Sequence, residues 1–203
     1  MGFRINKMKK NITALSLIVL IGLTNICYAQ AIYHVQKNSS EDIRLKGTST
    51  LHDWEMKAGS VSGEAQFIFK KSTEIALTSI KFLSFDLRVK DLKSDNKGLD
   101  KNAYEALKAD KYEEIGYKLS SVKISEEKGG FLLKTNGKLS VAGVTKDIVM
   151  DVHAVVKENG AVSCKGSYKL KMTDYNVKPP SFLLGAMKTG DDIMLYFSVT
   201  YIQ

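Results

Sequence analysis

From Ser60 to the C-terminus the dominant period of this chain is two, and that period restricts the fold more than any other feature. Val61, Gly63, Ala65, Phe67 and Phe69 alternate with Ser62, Glu64, Gln66 and Lys70, the mark of a strand with one face buried and one wet. Phe131, Leu133, Thr135, Gly137, Leu139 and Val141 do the same against Lys134, Asn136, Lys138 and Ser140, with Leu132 breaking the outer face. Ile148, Met150, Val152, Ala154 and Val156 follow, then Cys164, Gly166, Tyr168, Leu170 and Met172, and finally Ile193, Leu195, Phe197, Val199 and Tyr201. Turn signals stand where the runs break, at Glu127-Lys128-Gly129-Gly130, Ala142-Gly143 and Glu158-Asn159-Gly160. Strands joined by such short turns pair with their neighbours as an antiparallel meander, and about eight of them close into a barrel.

One segment departs from this period. Asp100 to Asp110 reads as a short helix with Asp100 as N-cap and an apolar stripe of Ala103, Tyr104 and Leu107. It is too short to be a domain and is expected to cover one end of the barrel or flank it.

The N-terminus reads as an address. Arg4, Lys7, Lys9 and Lys10 precede an uncharged run from Ile12 to Ile26 that ends in small residues, the three-part pattern of a secretory signal peptide. The run is shorter than the about 20 residues that a membrane span needs. Cleavage after Ala29 or after Ala31 fits, and Met8 offers a second start. Lipid attachment at Cys27 is disfavoured, because Thr24, Asn25 and Ile26 precede it instead of small residues. The expected division is therefore a signal at residues 1–31 and one domain at 32–203, exported to the periplasm or secreted.

Removing the signal takes four of the 30 basic residues and none of the 22 acidic ones, so the formal charge falls from +8 to +4. The remaining charge is well mixed and holds no basic block of the kind that binds nucleic acid; a weak attraction to anionic membrane surfaces stays open. Only Cys164 outlasts processing, which excludes an internal disulfide and leaves stability to a core.

Three segments carry information beyond periodicity. Gly47-Thr48-Ser49-Thr50-Leu51-His52-Asp53-Trp54-Glu55 contains the single tryptophan and places His52 beside Asp53. A carboxylate can orient an imidazole, but neighbours on a strand point to opposite faces, so a structural or ligand-contacting role for His52 is favoured over a catalytic or metal role. Ser94 to Asn102 leads into the helix and offers Lys97, Lys101 and Lys108 to an anionic headgroup, or is simply a solvated loop. The third comprises Gly137-Lys138-Leu139-Ser140-Val141-Ala142-Gly143-Val144-Thr145-Lys146 and, later, Tyr175-Asn176-Val177-Lys178-Pro179-Pro180-Ser181-Phe182 with Gly190-Asp191-Asp192.

Taken in this order, these segments resemble the YceI-like family of bacterial polyisoprenoid-binding proteins with a lipocalin-like fold, from about Tyr33 to Tyr201. The resemblance implies an all-β, extended eight-stranded antiparallel barrel with a helix at its side or end and a hydrophobic tunnel for an isoprenoid chain. The residues agree on their own terms: the inward positions mix Phe67, Phe69, Leu133, Met150, Tyr168, Leu170 and Phe197 with Gly63, Ala65, Gly137, Ala154 and Gly166. Such a mixture lines a cavity, or else its glycines bend strands at barrel corners.

The expected lipid-binding interior is Trp54, Phe67, Phe69, Phe85, Leu87, Leu133, Met150, Tyr168, Leu170 and Phe197. The tunnel mouth or headgroup site is expected among His52, Lys97, Lys101, Lys178, Phe182, Leu184 and Met187. The cargo is a long isoprenoid lipid or a quinone, with no other cofactor, no metal and no nucleic acid; a homodimer and peripheral membrane contact are both allowed.

Two other classes compete. An enzyme on a small apolar substrate would use His52 with Asp53, or Cys164, but no Gly-x-Ser-x-Gly elbow, His-Glu-x-x-His pair or phosphate loop is present. An interaction module would have a filled barrel and bind a partner through the apolar stretch Ser181 to Thr189, with Phe182, Leu183, Leu184 and Met187; the same stretch also suits a lid over the tunnel.

Overall fold

The antiparallel ladder dictated by the alternation is present in a computed structural model that describes residues 31–36, 42–71, 75–182 and 187–203, leaving aside the side chains of residues 71, 75, 182 and 187. The expected signal peptide at residues 1–31 falls, but for its last residue, outside the described residues. The strands are β1 (Tyr33–Val35), β2 (Asp42–Ser49), β3 (Trp54–Ala58), β4 (Val61–Ser62), β5 (Glu64–Lys71), β6 (Ile75–Arg88) and β7 (Leu92–Lys93). They continue with β8 (Glu114–Glu127), β9 (Gly130–Val141), β10 (Val144–Val156), β11 (Val162–Lys171), β12 (Ser181–Phe182) and β13 (Met187–Ile202), and one helix, α1 (Lys97–Ala106), lies between β7 and β8.

Eight of these strands form a closed ring in the order β1-β5-β6-β8-β9-β10-β11-β13, and β13 pairs back to β1. The remaining short strands are pieces of the same eight-part meander. β1 and β2 both lie along one edge of β13, with Val35 opposite Tyr201 and Asp42 opposite Ser198. β3, β4 and β5 likewise run in succession along β7 and β6. Closure removes exposed sheet edges and encloses one interior.

Local chemistry sets the corners. The β9–β10 hairpin turns through Ala142 and Gly143, with φ of 48° and 82°, the left-handed pair of a two-residue turn whose twist matches the flanking strands. Tyr112 covers Gly143 so closely that a Cβ there would collide with its ring.

Burial follows the expected faces. Along β9, Phe131, Leu133, Thr135, Gly137, Leu139 and Val141 are buried while Lys134, Asn136 and Lys138 are exposed. The same holds for Ile148, Met150, Val152 and Ala154 on β10. β6 and β8 are less regular because the ladders there contain bulges. The β5–β6 register shifts between Gln66 and Phe67 and again between Ile68 and Phe69, and the β8–β9 register shifts between Leu119 and Ser121. Each bulge inserts a residue and reverses the parity of the buried face.

The helix begins three residues before the expected start. Asn96, not Asp100, is the N-cap, its side-chain oxygen accepting from the N–H groups of Gly98 and Leu99 at 2.8 and 3.2 Å. Asp100 lies in the first turn, buried, and accepts from both the backbone N–H and the hydroxyl of Ser94 at 2.7 Å each. Its short side chain ties the helix to the preceding strand instead of capping the helix.

Candidate functional site

In an antiparallel meander, alternate connections fall at the same end. The β2–β3, β7–β8, β9–β10 and β11–β12 connections share one end, which α1 covers; the β5–β6, β8–β9 and β10–β11 turns share the other.

The far end is filled. Tyr33, Phe67, Phe69 and Tyr201 form one aromatic cluster, with Tyr33 edge-on to Phe67 at 5.2 Å and Phe67 edge-on to Tyr201 at 5.7 Å between ring centroids. Tyr33 and Phe67 also contact Phe69 at 6.3 and 6.2 Å. Edge-to-face geometry suits the ring quadrupoles. Tyr201 donates from its hydroxyl to the Ser84 carbonyl at 3.1 Å, which fixes it between strands.

Between this plug and α1 lies an apolar cavity of about 230 Å³. Its wall includes Ile43, Leu45, Met56, Leu83, Phe85, Leu87, Leu133, Leu139, Ile148, Met150, Leu170, Leu195 and Phe197 from the strands. The helix closes it with Leu99, Asn102, Ala103, Ala106 and Leu107, the i, i+3, i+4, i+7, i+8 stripe that a core-facing helix presents. On α1's far side Tyr104 donates its hydroxyl to the Leu92 carbonyl at 2.6 Å and accepts from Lys93 Nζ at 2.7 Å, holding α1 against β7.

Three glycines allow aromatic rings to lie against the wall without projecting across it. Trp54 lies over Gly47, Tyr117 over Gly137 and Phe197 over Gly166, each in the place a Cβ would take. Trp54 and Gly47 are direct cross-strand partners, as are Phe197 and Gly166. Of the glycines read from the sequence as cavity makers or strand benders, Gly137 and Gly166 thus act as beds for rings, whereas Gly63 lies against the Ser84 carbonyl of β6. The ring fills the space at the sheet, and the lumen beyond it stays open.

Several polar groups of the wall are already paired. Trp54 Nε1 donates to the Thr48 carbonyl at 3.1 Å, and Thr135 Oγ1 donates to the Met150 carbonyl at 3.1 Å. The Tyr175 phenol is pushed up to about 12 by burial, reinforced by Tyr168 and Asp174, so it stays protonated at any physiological pH. Cys164 faces the lumen and burial drives its thiol to about 12, which leaves it inert as a nucleophile.

Of the residues expected in the interior, Trp54, Phe85, Leu87, Leu133, Met150, Leu170 and Phe197 line the cavity. Phe67 and Phe69 belong instead to the far-end plug. Tyr168 packs into the core without reaching the cavity wall; its phenol is raised by partial burial and by the nearby Asp174 carboxylate.

Of the residues expected at the mouth, His52 occupies the exposed β2–β3 turn at the helix-covered end. Its Nδ1 lies 2.9 Å from the Asp53 backbone carbonyl, not against the Asp53 carboxylate, and Ser49 Oγ donates to the His52 carbonyl at 2.7 Å. The two side chains considered as an acid/base pair therefore do not form one. Lys97 and Lys101 sit on the outer side of α1, away from the lumen, where Lys101 lies 3.8 Å from Glu105. Lys178 is exposed beside the buried Val177. Phe182 and Met187 pair through their backbones in the β12–β13 ladder; their side chains, and Leu184 altogether, lie outside the described residues. Among the described residues no group of three or more His, Cys, Asp or Glu is gathered as metal ligands.

Sequence reasoning missed Ile43, Leu45 and Met56, although Ile43 and Leu45 alternate with Arg44 and Lys46 in a readable period-two pattern. It also missed Leu83, Ile115, Tyr117 and Leu119, which lie on the two bulged strands.

Residues 33–201 match the YceI-like domain. The chain belongs to the YceI-like family. Solved structures similar to this YceI-like chain include BcnA of Burkholderia cenocepacia, at 13% identity and a TM-score of 0.60, covering 79% of this chain and 95% of that one. A polyisoprenoid binding domain from Saccharophagus degradans, implicated in plant cell wall breakdown, is similar at 9% identity and a TM-score of 0.64, over 84% of this chain and 98% of that domain. The YceI protein of Campylobacter jejuni is similar at 22% identity and a TM-score of 0.51, over 70% and 81% of the two chains. No curated protein matches the sequence. At these identities the likeness is one of fold, and the expected lipocalin-like barrel is the architecture found here.

Proposed function

We propose that this chain is an exported, non-catalytic carrier that holds a polyisoprenoid or similar long apolar lipid, a prenylated quinone among them, in its barrel for transport or storage in the cell envelope. The observation that carries this reading is the apolar lumen beneath α1, plugged by aromatic rings at one end and closed by the Leu99, Ala103, Ala106 and Leu107 face of the helix segment at the other. The name of the Saccharophagus degradans domain, which shares the fold, supports an isoprenoid as the cargo. Export is supported by the basic, then apolar, then small-residue order of the N-terminus.

Energetics support the same reading. At about 24 cal/mol per Å³, an apolar space of this size left empty costs on the order of 5 kcal/mol, comparable to the whole stability of a modest domain. A chain that buries several hundred Å² of its own surface at roughly 25 cal/mol per Å² gains about 10 kcal/mol before the entropy of binding is subtracted.

The test is a titration of lipid-free protein with prenyl chains of increasing length, followed by tryptophan fluorescence from Trp54 on the wall. The reading requires saturable one-to-one binding that tightens with chain length until the lumen is full. Absence of binding at every length would contradict it.

A further inference from the structure

Leu51 stands at the tip of the β2–β3 turn, at the helix-covered end of the barrel, and is 64% exposed. Exposed apolar side chains are common on protein surfaces; this one is distinguished by how firmly it is held out. Ser49 Oγ accepts from the N–H groups of Leu51 and His52, at 3.2 Å each, and donates to the His52 carbonyl at 2.7 Å. The start of β13 braces the turn from the side. Thr50 N–H donates to the Lys188 carbonyl at 3.0 Å, and Lys188 N–H donates to Thr50 Oγ1 at 3.2 Å. The N–H groups of Thr50, Leu51 and His52 are thus all satisfied, so this tip can leave water without stranding a backbone donor.

The same corner of the barrel reaches the cavity. Trp54, which opens β3, belongs to the cavity wall, as do Thr189, which follows Lys188, and Pro180, whose carbonyl accepts the Thr189 N–H at 3.0 Å. Lys178 and Lys188 are exposed cations beside the tip, and Asp53 is the exposed carboxylate of the turn. The two described turns of the opposite end present a different surface: Glu127, Lys128 and Gly129 are exposed in one, Glu158 and Asn159 in the other.

The shape of the tip decides what it meets. A stable protein interface buries about 800 Å² on each partner, far more than one convex leucine flanked by Thr50, His52 and Asp53 can offer. A bilayer needs no matching surface. It takes a single apolar side chain into the boundary between headgroups and acyl chains while the polar and cationic neighbours stay among the headgroups.

We infer that the β2–β3 turn is a membrane-contact point, at which Leu51 enters a lipid bilayer and turns the helix-covered end of the barrel toward it. The purpose of the contact rests on the reading of the lumen as a lipid site, since an apolar cargo passes between bilayer and barrel. The contact itself is a property of the lipid-free protein and is measured without any prenyl lipid.

The experiment is co-sedimentation of lipid-free protein with vesicles of phosphatidylethanolamine and phosphatidylglycerol. The wild type partitions onto the vesicles, and Leu51→Ser lowers the partition coefficient about tenfold, which corresponds to about 1.4 kcal/mol. Leu51→Trp raises it several-fold, because indole favours the membrane interface. Val149→Ser is the control: Val149 is 65% exposed on the outer wall of β10, and its replacement leaves partitioning unchanged. A wild type that does not sediment, a Leu51→Ser variant that sediments equally well, or an equal loss in Val149→Ser overturns the inference. So does a wild-type dimer that Leu51→Ser dissociates without any vesicle binding, which would assign the tip to a second copy of the chain. Each of these results leaves the titration with prenyl chains free to succeed or fail by itself.

Discussion

Phe197 stands directly opposite Gly166 across the β11–β13 ladder, its ring occupying the place that a side chain at Gly166 would fill. Behind the glycine is the sheet itself, with the Asp151 carbonyl 3.0 Å from the position of an added Cβ. The ring can yield only toward the lumen. Gly166→Ala is therefore expected to lower lipid affinity about tenfold or more while costing about 1–3 kcal/mol of stability through overpacking. Paired thermal melts and lipid titrations check this; a lowered melting temperature with unchanged affinity would show that the ring position does not shape the site.

The lumen also predicts that filling it separates stability from function. Leu195 lines the cavity on β13, and Leu195→Trp places an indole into the lumen. The variant is expected to lose lipid uptake while its lipid-free form melts at or above wild type, because cavity filling offsets strain. Uptake undiminished by the indole would argue that the lipid binds elsewhere.

Cys164 provides a probe of the closed interior. Its thiol, raised to about 12 by burial, should resist maleimide at pH 8 in folded protein and react at once on unfolding. The linkage runs one way: the unfolded thiol ionises near 9 while the folded one stays protonated to about 12, so its contribution to stability declines as pH rises through that window. Rapid labelling of native protein would mean that the barrel opens on the timescale of the reaction.

At the helix-covered end, the Thr173 hydroxyl and backbone N–H both donate to the Asp191 carboxylate, at 2.6 and 2.9 Å. These bonds, the hydroxyl foremost, lower the Asp191 pKa below its ordinary value. The contribution is fully present above the unfolded carboxyl pKa near 4 and is lost as pH falls through the lower folded value. Asp191→Asn should flatten this part of the acid limb of a stability–pH curve and loosen the turn that carries Tyr175 and Val177 into the wall. An acid limb identical to wild type would show that the pair contributes nothing.

Tyr104 holds α1 down from its outer side. Tyr104→Phe removes the hydroxyl donated to the Leu92 carbonyl and the acceptor for Lys93. Lipid exchange between loaded protein and vesicles is expected to quicken several-fold, with little change in the melt of the barrel. Unchanged exchange would place the route for lipid somewhere other than beneath the helix.

What the sequence made legible follows from what a local pattern can encode. Alternation on β9, β10 and β11 gave both strand and inward face, because no bulge residue is inserted in those three strands. On β8 the inward, buried or half-buried positions pass from Tyr117 and Leu119 to Val122 and Ile124, and on β6 from Leu77 to Ile80, since bulges insert residues that a fixed period cannot accommodate. Alternation also says which side a residue faces but not how deep it lies along the barrel axis. Phe67 and Phe69 face inward as expected, yet register carries them to the plugged end, while Phe85, on the neighbouring strand, reaches the cavity. Depth is set by pairing with distant strands, and Gly166 beneath Phe197 is legible only once that pairing is known. The helix was recognisable from Ala103, Tyr104 and Leu107; its start was misplaced because Asp100 and Asn96 are both competent caps and only the tertiary bond to Ser94 distinguishes them.

The central claim, that the barrel exists to hold an isoprenoid lipid, is tested most directly by native mass spectrometry of the protein purified from its own host without detergent. The expected result is one lipid per barrel, released on denaturation, with a mass in the prenyl series. A barrel that emerges empty from its host and stays empty when prenyl lipids are added would contradict it.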